Sequence, residues 1–459
     1  MVGFQVFNAG NKFGVKPTIM RACLTTELIQ TPDRFVKTQQ SPSKSVLFIS
    51  PQPFFEWRGS PIRVKFNVIA LSELGYEVDL LTLPIGRDEP DVSARVIRVW
   101  NVFGSKSITI GPSLLKLWFD GLLIIRGAQL VLKHDYQVIH GTEEAGAICY
   151  LLSRLNRGMN RAKVIYEKHS DTGSYKKGKG GLKNRLLDVY QRVETFTIKK
   201  AAITIATGPG LNEQAQQSAP GALVTTIPDI PSSLVEPDEE AISAIRRQIA
   251  HTHDQVIVTY VGSFASYQGV DVIFDGIPQV VKSNDKIKFV IIGGNDQEIQ
   301  HYHDQLSRQG LVVTSTKLPQ KSNDSLDHNP APSKNHNVQF LGKIPPDELP
   351  AYLSASDILL APRKSGINSP LKILDYFKAG AAIVATNTVA NQRLLNADNA
   401  ELCEFKSDAF AAAIMRLAEN RERRQELGKN GHCAYRETYN FEVFRSQLKD
   451  AYDQIFPGY

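Results

Sequence analysis

Cysteine is scarce in this chain of 459 residues. The four present, Cys23, Cys149, Cys403 and Cys433, are scattered without a CxxC pair or a short His/Cys spacing. That spacing favours the reduced thiols of a cytosolic protein over a zinc site or a disulfide framework. Long apolar runs are also missing: none approaches the roughly eighteen residues that a membrane-spanning helix needs. The amino terminus has no charged stretch leading into an apolar one, so no secretory signal is expected, and residues 1–44 read as a poorly ordered extension. Neither charge dominates, since 53 Lys and Arg against 47 Asp and Glu leave a formal net charge of +6. A mildly basic balance suits an anionic small substrate or a membrane surface and does not call for nucleic acid. The absence of G-x-G-x-x-G disfavours a dehydrogenase. With no DxD motif and no clustered carboxylates, no divalent metal is implied.

What is present is an ordinary globular composition, 42% hydrophobic and 22% charged, long enough for about three domains or two large ones. From Val46 onward, short Val/Ile-rich runs alternate with helical patterns. VLFIS (46–50), VDLLTL (78–83), ARVIRVW (94–100), QVIHG (137–141), KVIYEKH (163–169), ITIATG (203–208) and VTTIPD (224–229) read as strands. Residues 61–74 form a helix stopped by Gly75. Runs without polar alternation suit parallel strands covered on both faces, and strand-helix repetition builds a doubly wound α/β domain. Pro228, Pro231, Pro237 and the acidic 238–240 mark a linker, after which the pattern restarts at 256–262, 288–294, 338–342, 358–362 and 382–386. We therefore expect two Rossmann-like domains, 45–229 and 230–440, with an amphipathic helix at 441–456 that packs back on the first. Residues 311–335, rich in Ser, Asn, Pro and Lys, read as a mobile insertion. The segment 113–133 is apolar nearly all round, which fits either core packing or docking at a membrane interface.

Three stretches carry candidate chemistry. After the first strand comes a turn in which Gly59 admits a ligand close to the backbone, Ser60 caps a helix and Pro61 opens it. In the second half, Ser369 is the expected N-cap and Pro370 the first helical residue. Backbone N–H groups near Leu371 and Lys372, with Arg363, Lys364 and Lys372, form a combination suited to a diphosphate. Asp375, one turn further on, is placed to accept hydrogen bonds from ribose hydroxyls. The third stretch is Tyr166-Glu-Lys-His-Ser-Asp, where His169 ends a strand, followed by the Gly-interrupted basic loop 174–185. That loop suits closure over a phosphate or contact with anionic lipid.

Taken in order, these stretches resemble the retaining GT-B fold glycosyltransferases of family 4 over about residues 45–459. The resemblance rests on Phe-Ile-Ser-Pro-Gln-Pro-Phe-Phe-Glu-Trp-Arg-Gly-Ser-Pro, Glu-Lys-His-Ser, Tyr-Val-Gly-Ser-Phe-Ala-Ser-Tyr-Gln-Gly-Val-Asp and Pro-Leu-Lys-Ile-Leu-Asp-Tyr-Phe-Lys-Ala-Gly. It implies transfer of a sugar from a nucleotide-diphosphate sugar to a glycan or lipid-linked acceptor, with no cofactor and no metal. In this reading His169 and Lys372 are the catalytic residues, and the donor is held by Gly59, Ser60, Gly262, Ser263, Gln268, Arg363, Asn368, Ser369, Pro370, Leu371 and Asp375. The chain departs from the family at two points. Ile367 stands where the signature has its first glutamate, and Ser263 and Gln268 stand where the family often has the Arg and Lys that hold the diphosphate. A non-catalytic GT-B binding protein is one alternative, motivated by those changes. A sugar-nucleotide epimerase is another, for which Glu143 and Glu144 are the obvious carboxylate pair.

Overall fold

In a computed structural model the described residues run from 44 to 456, apart from 58, 90, 102–103, 106–113, 157–160, 172–181, 251, 253, 316–335 and 367–369. The first half runs Lys44–Ser50 (β1), Gly59–Glu73 (α1), Tyr76–Thr82 (β2), Arg95–Arg98 (β3), Leu114–Lys133 (α2) and Val138–Thr142 (β4). It continues through Ala145–Ser153 (α3), Lys163–Lys168 (β5), Leu182–Lys200 (α4), Ile203–Ala206 (β6), Pro209–Ser218 (α5) and Val224–Thr226 (β7). The second half opens with Glu239–Ile249 (α6), Val256–Val261 (β8), Asp271–Ser283 (α7), Ile287–Ile292 (β9), Asp296–Arg308 (α8) and Val313–Ser315 (β10). Next come Val338–Gly342 (β11), Leu349–Ser354 (α9), Ile358–Ala361 (β12), Leu371–Ala379 (α10), Ala382–Thr386 (β13) and Val389–Gln392 (α11). Glu401–Cys403 (β14), Ser407–Glu419 (α12), Arg421–Thr438 (α13) and Phe441–Ile455 (α14) complete the chain.

Among the described residues the strands form two seven-stranded sheets, ordered β3-β2-β1-β4-β5-β6-β7 and β10-β11-β9-β8-β12-β13-β14. Every pairing is parallel, so both faces of each sheet need a helical cover. One face of the first sheet buries Phe48 and Val46 under Val64, Phe66 and Val68 of α1 and under Phe444, Leu448 and Tyr452 of α14. The other face packs Ile49 and Leu81 against Phe119 and Leu123 of α2 and Leu152 of α3. In the second sheet, Phe289 and Phe340 lie under Phe274 of α7 and Phe410 of α12, while Val290 and Leu359 lie under Ile373 and Phe377 of α10. Thus the last helix of the chain lies on the first sheet, and the Tyr452 hydroxyl is 3.0 Å from His140 Nδ1 of β4.

This is the doubly wound α/β architecture expected from the alternation of strand and helix runs. The structure differs from that expectation in four places. β10 and β14 were not anticipated, being three-residue edge strands. Lys44, assigned to the extension, opens β1, and residues 1–43 lie outside the described residues. The helix expected at 61–74 begins at Gly59, so Ser60 sits inside its first turn instead of capping it. Finally, α2 is not wholly buried, and apolar residues lie on both its faces. Phe119, Leu122, Leu123, Leu130 and Val131 face the sheet, while Leu117, Trp118, Ile125 and Leu132 are 47–64% exposed.

Candidate active site between the two halves

In open parallel sheets, ligands collect at the carboxyl ends of strands where the strand order reverses. Here the reversals fall between β1 and β4 in one sheet and between β8 and β12 in the other. The chain beyond those strand ends supplies Gly59, Glu143, Gly262 and Arg363. A cavity of about 190 Å³ opens between the halves. The first half lines it with Gly59, Ser60 and Arg63 of α1, with His169 just past β5, with Thr207, Gly208, Gly210 and Leu211 around the start of α5, and with Asp229; the second half adds Leu371 and Arg393. Of the residues singled out from sequence, the structure therefore brings Gly59, Ser60, His169 and Leu371 together.

His169 is held by a buried ionic network. Glu167 Oε2 lies 3.1 Å from His169 Nε2. Arg63 Nε donates to Glu167 Oε1 at 2.7 Å and Asn67 Nδ2 to Oε2 at 2.8 Å, while Arg63 Nη1 reaches Asp229 at 3.0 Å. Burial alone would push Glu167 up, but the charges of Arg63, His169 and His140 overcome it and hold the carboxyl well below its usual range. The backbone N–H of His169 donates to Glu143 Oε1 at 3.0 Å. Glu143 has φ +52°, a left-handed backbone conformation uncommon for a residue with a side chain. Burial raises its carboxyl to about 7, with the neighbouring carboxylates adding to the rise. Glu144 points elsewhere: it pairs with Lys116 and accepts from the Tyr190 hydroxyl at 2.5 Å. Neither glutamate lines the cavity, so the carboxylate pair that an epimerase would need at the sugar is not assembled there.

On the second half, the end of β8 is shaped around Lys372. Gly262 has φ +145°, and a Cβ at that position would fall 2.7 Å from Lys372 Nζ. The ammonium lies 4.4 Å from the centre of the Tyr260 ring and 3.4 Å from its hydroxyl. Burial, helped by the charge of Arg363, pushes Lys372 down to about 7. Ser263 is exposed, and its carbonyl accepts from Tyr260 at 2.8 Å. Gln268 ends a short turn packed against the strand end after β12, where Lys364 N donates to Tyr267 O at 3.0 Å and the Arg363 guanidinium lies 5.8 Å from the Tyr267 ring. None of these residues lines the cavity.

Two expectations around α10 change. Ser369, the expected N-cap, and Asn368 lie outside the described residues together with Ile367. The cap position belongs to Pro370, with φ −72° and ψ 118°, and Leu371 is the first helical residue. Asp375 is not aimed into the cavity. Its Oδ1 accepts from Ser232 N at 2.6 Å and from Ser232 Oγ at 2.9 Å. Burial raises its carboxyl to about 6. Lys378, one turn on, donates to the carbonyls of Ser233 and Val235 at 2.9 and 2.8 Å, so α10 grips the linker between the halves.

Sequence reasoning passed over Arg63, Glu167, Gly208, Asp229 and Arg393. Glu167 stands inside the Glu-Lys-His-Ser stretch and Arg63 shortly after the Gly59-Ser60-Pro61 turn, but nothing in the sequence pairs them, and the fold is what gathers all five. Of the loop expected at 174–185, residues 174–181 lie outside the described residues, and 182–185 belong to the first turn of α4. Among the described residues no group of three His, Cys, Asp or Glu could hold a metal, and no helix is long and apolar enough to cross a membrane.

Comparison with known proteins agrees with this geometry. Residues 64–229 match the glycosyl transferase 4-like domain and residues 241–432 match glycosyl transferases group 1. A phosphatidyl-myo-inositol mannosyltransferase of Mycobacterium leprae is 24% identical over 194 residues, 41% of this chain and 43% of that one. The match thus spans less than half the length of that relative. The sucrose-phosphate synthase of Thermosynechococcus elongatus superposes with a TM-score of 0.67 at 19% identity, over 91% of this chain and all of that one. Anabaena HepE in complex with UDP gives 0.64 at 15% identity, over 89% of this chain and 99% of that one.

Proposed function

The chain belongs to the family 4-like glycosyltransferases of GT-B fold, and from that premise we propose that it is a retaining enzyme transferring a sugar from a nucleoside-diphosphate sugar to an acceptor hydroxyl. The observation that carries the proposal is the cavity in which His169 and the start of α1 meet the start of α10. The donor diphosphate takes its place at the amino end of α10, where Leu371 and Lys372 present first-turn N–H groups and Lys372 adds its ammonium. Arg363 stands behind it. In the reaction the bond from the anomeric carbon to the diphosphate oxygen breaks and a bond to the acceptor oxygen forms on the same face. The acceptor proton passes to the departing diphosphate. The transition state carries growing negative charge on that leaving group, so fixed donors around it are the catalytic asset. His169, oriented by Glu167, contacts the transferred sugar.

A screen of UDP-, GDP- and ADP-sugars by thermal shift and by sugar release tests the proposal. One nucleotide should raise the melting temperature, with slow hydrolysis that Lys372→Ala removes, and NMR of the product should show the anomeric configuration of the donor. Failure of every nucleotide sugar to bind would overturn it.

The proposal extends to the acceptor side. Leu117, Ile125 and Leu132 of α2 leave an apolar face open to solvent, with Trp100 49% exposed beside it and Arg126 5.8 Å from the Trp100 ring. Such a face suits shallow seating in a lipid headgroup layer, and a glycan or lipid-linked acceptor would be met there. Flotation with phosphatidylglycerol vesicles at low salt should carry the protein upward, and Leu117→Glu with Ile125→Glu should leave it at the bottom.

A further inference from the structure

The positive groups in the cavity exceed what the protein itself neutralises. Arg63 is 4% exposed and spends Nε on Glu167 and Nη1 on Asp229, yet its Nη2 is buried without a hydrogen-bond partner. Across the cavity, Arg393 of the second half has a buried Nε with no partner and, among the described residues, no ion pair. Its guanidinium is pressed onto the amino end of α5: a Cβ on Gly210 would fall 2.4 Å from Nη2 and 2.6 Å from Nη1. That ten-residue helix starts after Gly208, which offers no side chain to cap it, and Pro209 occupies its first position. A helix amino terminus carries partial positive charge, so a guanidinium laid against it is repelled unless an anion lies between or beside them. Among the described residues Asp229 is the one carboxylate lining the cavity, and it is bound to Arg63.

We propose that Arg393, Arg63 Nη2 and the amino end of α5 form a phosphate subsite for the acceptor, separate from the donor diphosphate seat at Leu371 and Lys372. This assignment rests on the glycosyltransferase reading above and adds the substrate class: the hydroxyl that receives the sugar belongs to a phosphate-bearing molecule. Two facts separate the subsite from the donor seat. Arg63 and α5 belong to the first half, and Lys372 is turned toward Tyr260 and Gly262 at the end of β8. Gly210 has a specific purpose here, since any side chain at that position would displace Arg393.

Inorganic phosphate, titrated calorimetrically into the full-length protein with and without a saturating nucleoside diphosphate, tests the assignment. Phosphate should bind with the nucleotide in place. Arg393→Gln should weaken it about tenfold or more, the loss expected for a charge-assisted hydrogen bond. Gly210→Val keeps the arginine but moves it, and should weaken phosphate similarly, whereas Lys372→Ala should leave phosphate affinity unchanged. Competition between phosphate and the nucleotide, or an Arg393→Gln protein that binds phosphate like the parent, would overturn the proposal. If no nucleoside diphosphate binds, the donor reading fails, and the phosphate titration of the parent and of Arg393→Gln still decides the subsite. Glucose 6-phosphate and phosphatidylglycerol vesicles then distinguish a soluble phosphate from a lipid headgroup. Tighter binding of either through Arg393 supports the subsite, and failure of both overturns it.

Discussion

Nucleoside-diphosphate affinity should fall by up to about tenfold per pH unit between pH 7.5 and 9.5, and Lys372→Ala should abolish that slope. The argument starts from the Lys372 ammonium, which burial and Arg363 push down to about 7 in the unliganded protein. Above that pH the amine is mostly neutral. A diphosphate placed beside it favours the charged form, so binding takes up a proton, and an equilibrium that consumes protons weakens as pH rises. The window lies above the terminal phosphate ionisation, near 6 for a phosphomonoester, so the ligand charge stays constant. At pH 7 the alanine variant should also bind about 10- to 100-fold more weakly, the range for hydrogen bonds to charged groups. A flat profile in the parent would show that the ammonium does not meet the diphosphate. Ser263 and Gln268 make this the most informative position, since neither can carry the missing charge.

Much of this site was legible in the sequence because its chemistry is local. A Gly opening a helix, a His closing a strand and a Pro-Leu-Lys helix opening each announce themselves within a few residues, and Gly59, His169 and Leu371, singled out that way, do line the cavity. Strands β1, β4, β8 and β12 were equally plain, since strands covered on both faces read as unbroken Val/Ile runs. β10 was missed because it falls inside the polar stretch 311–335 read as an insertion, and β14 because Glu401–Cys403 carries no Val/Ile run. The remaining site residues depend on long-range contacts. Glu167 stands next to the last residue of β5 and meets Arg63 from 104 residues away. Asp375 was expected to accept from ribose hydroxyls, but it accepts instead from Ser232, 143 residues back in a linker that composition marks by its prolines and acidic 238–240. Arg393 follows the short helix α11 and looks like a solvated surface arginine until the second half brings it against Gly210.

Glu167→Gln should lower kcat by about 10²- to 10³-fold, the magnitude seen when a preorganised transition-state donor is lost, while leaving the donor KM nearly unchanged. Glu167 does not line the cavity. It acts through His169, 3.1 Å away, by fixing which way the ring faces. The amide is nearly isosteric, but it is neutral and can present either an acceptor or a donor to Nε2, so the imidazole loses its single orientation. His169→Ala alone should cost about as much as Glu167→Gln. In the His169→Ala background Glu167→Gln should cost almost nothing further, because residues acting as a unit are strongly non-additive. A merely structural Glu167 would give the opposite pattern, with equal losses in both backgrounds and a raised KM. Stability has to be followed alongside, since Arg63 is left with Asp229 alone, and breaking a buried ion pair costs about 3–5 kcal/mol. Urea unfolding of the two single variants separates these effects: Glu167→Gln should unfold at lower urea than His169→Ala, yet the two should share the same loss of kcat.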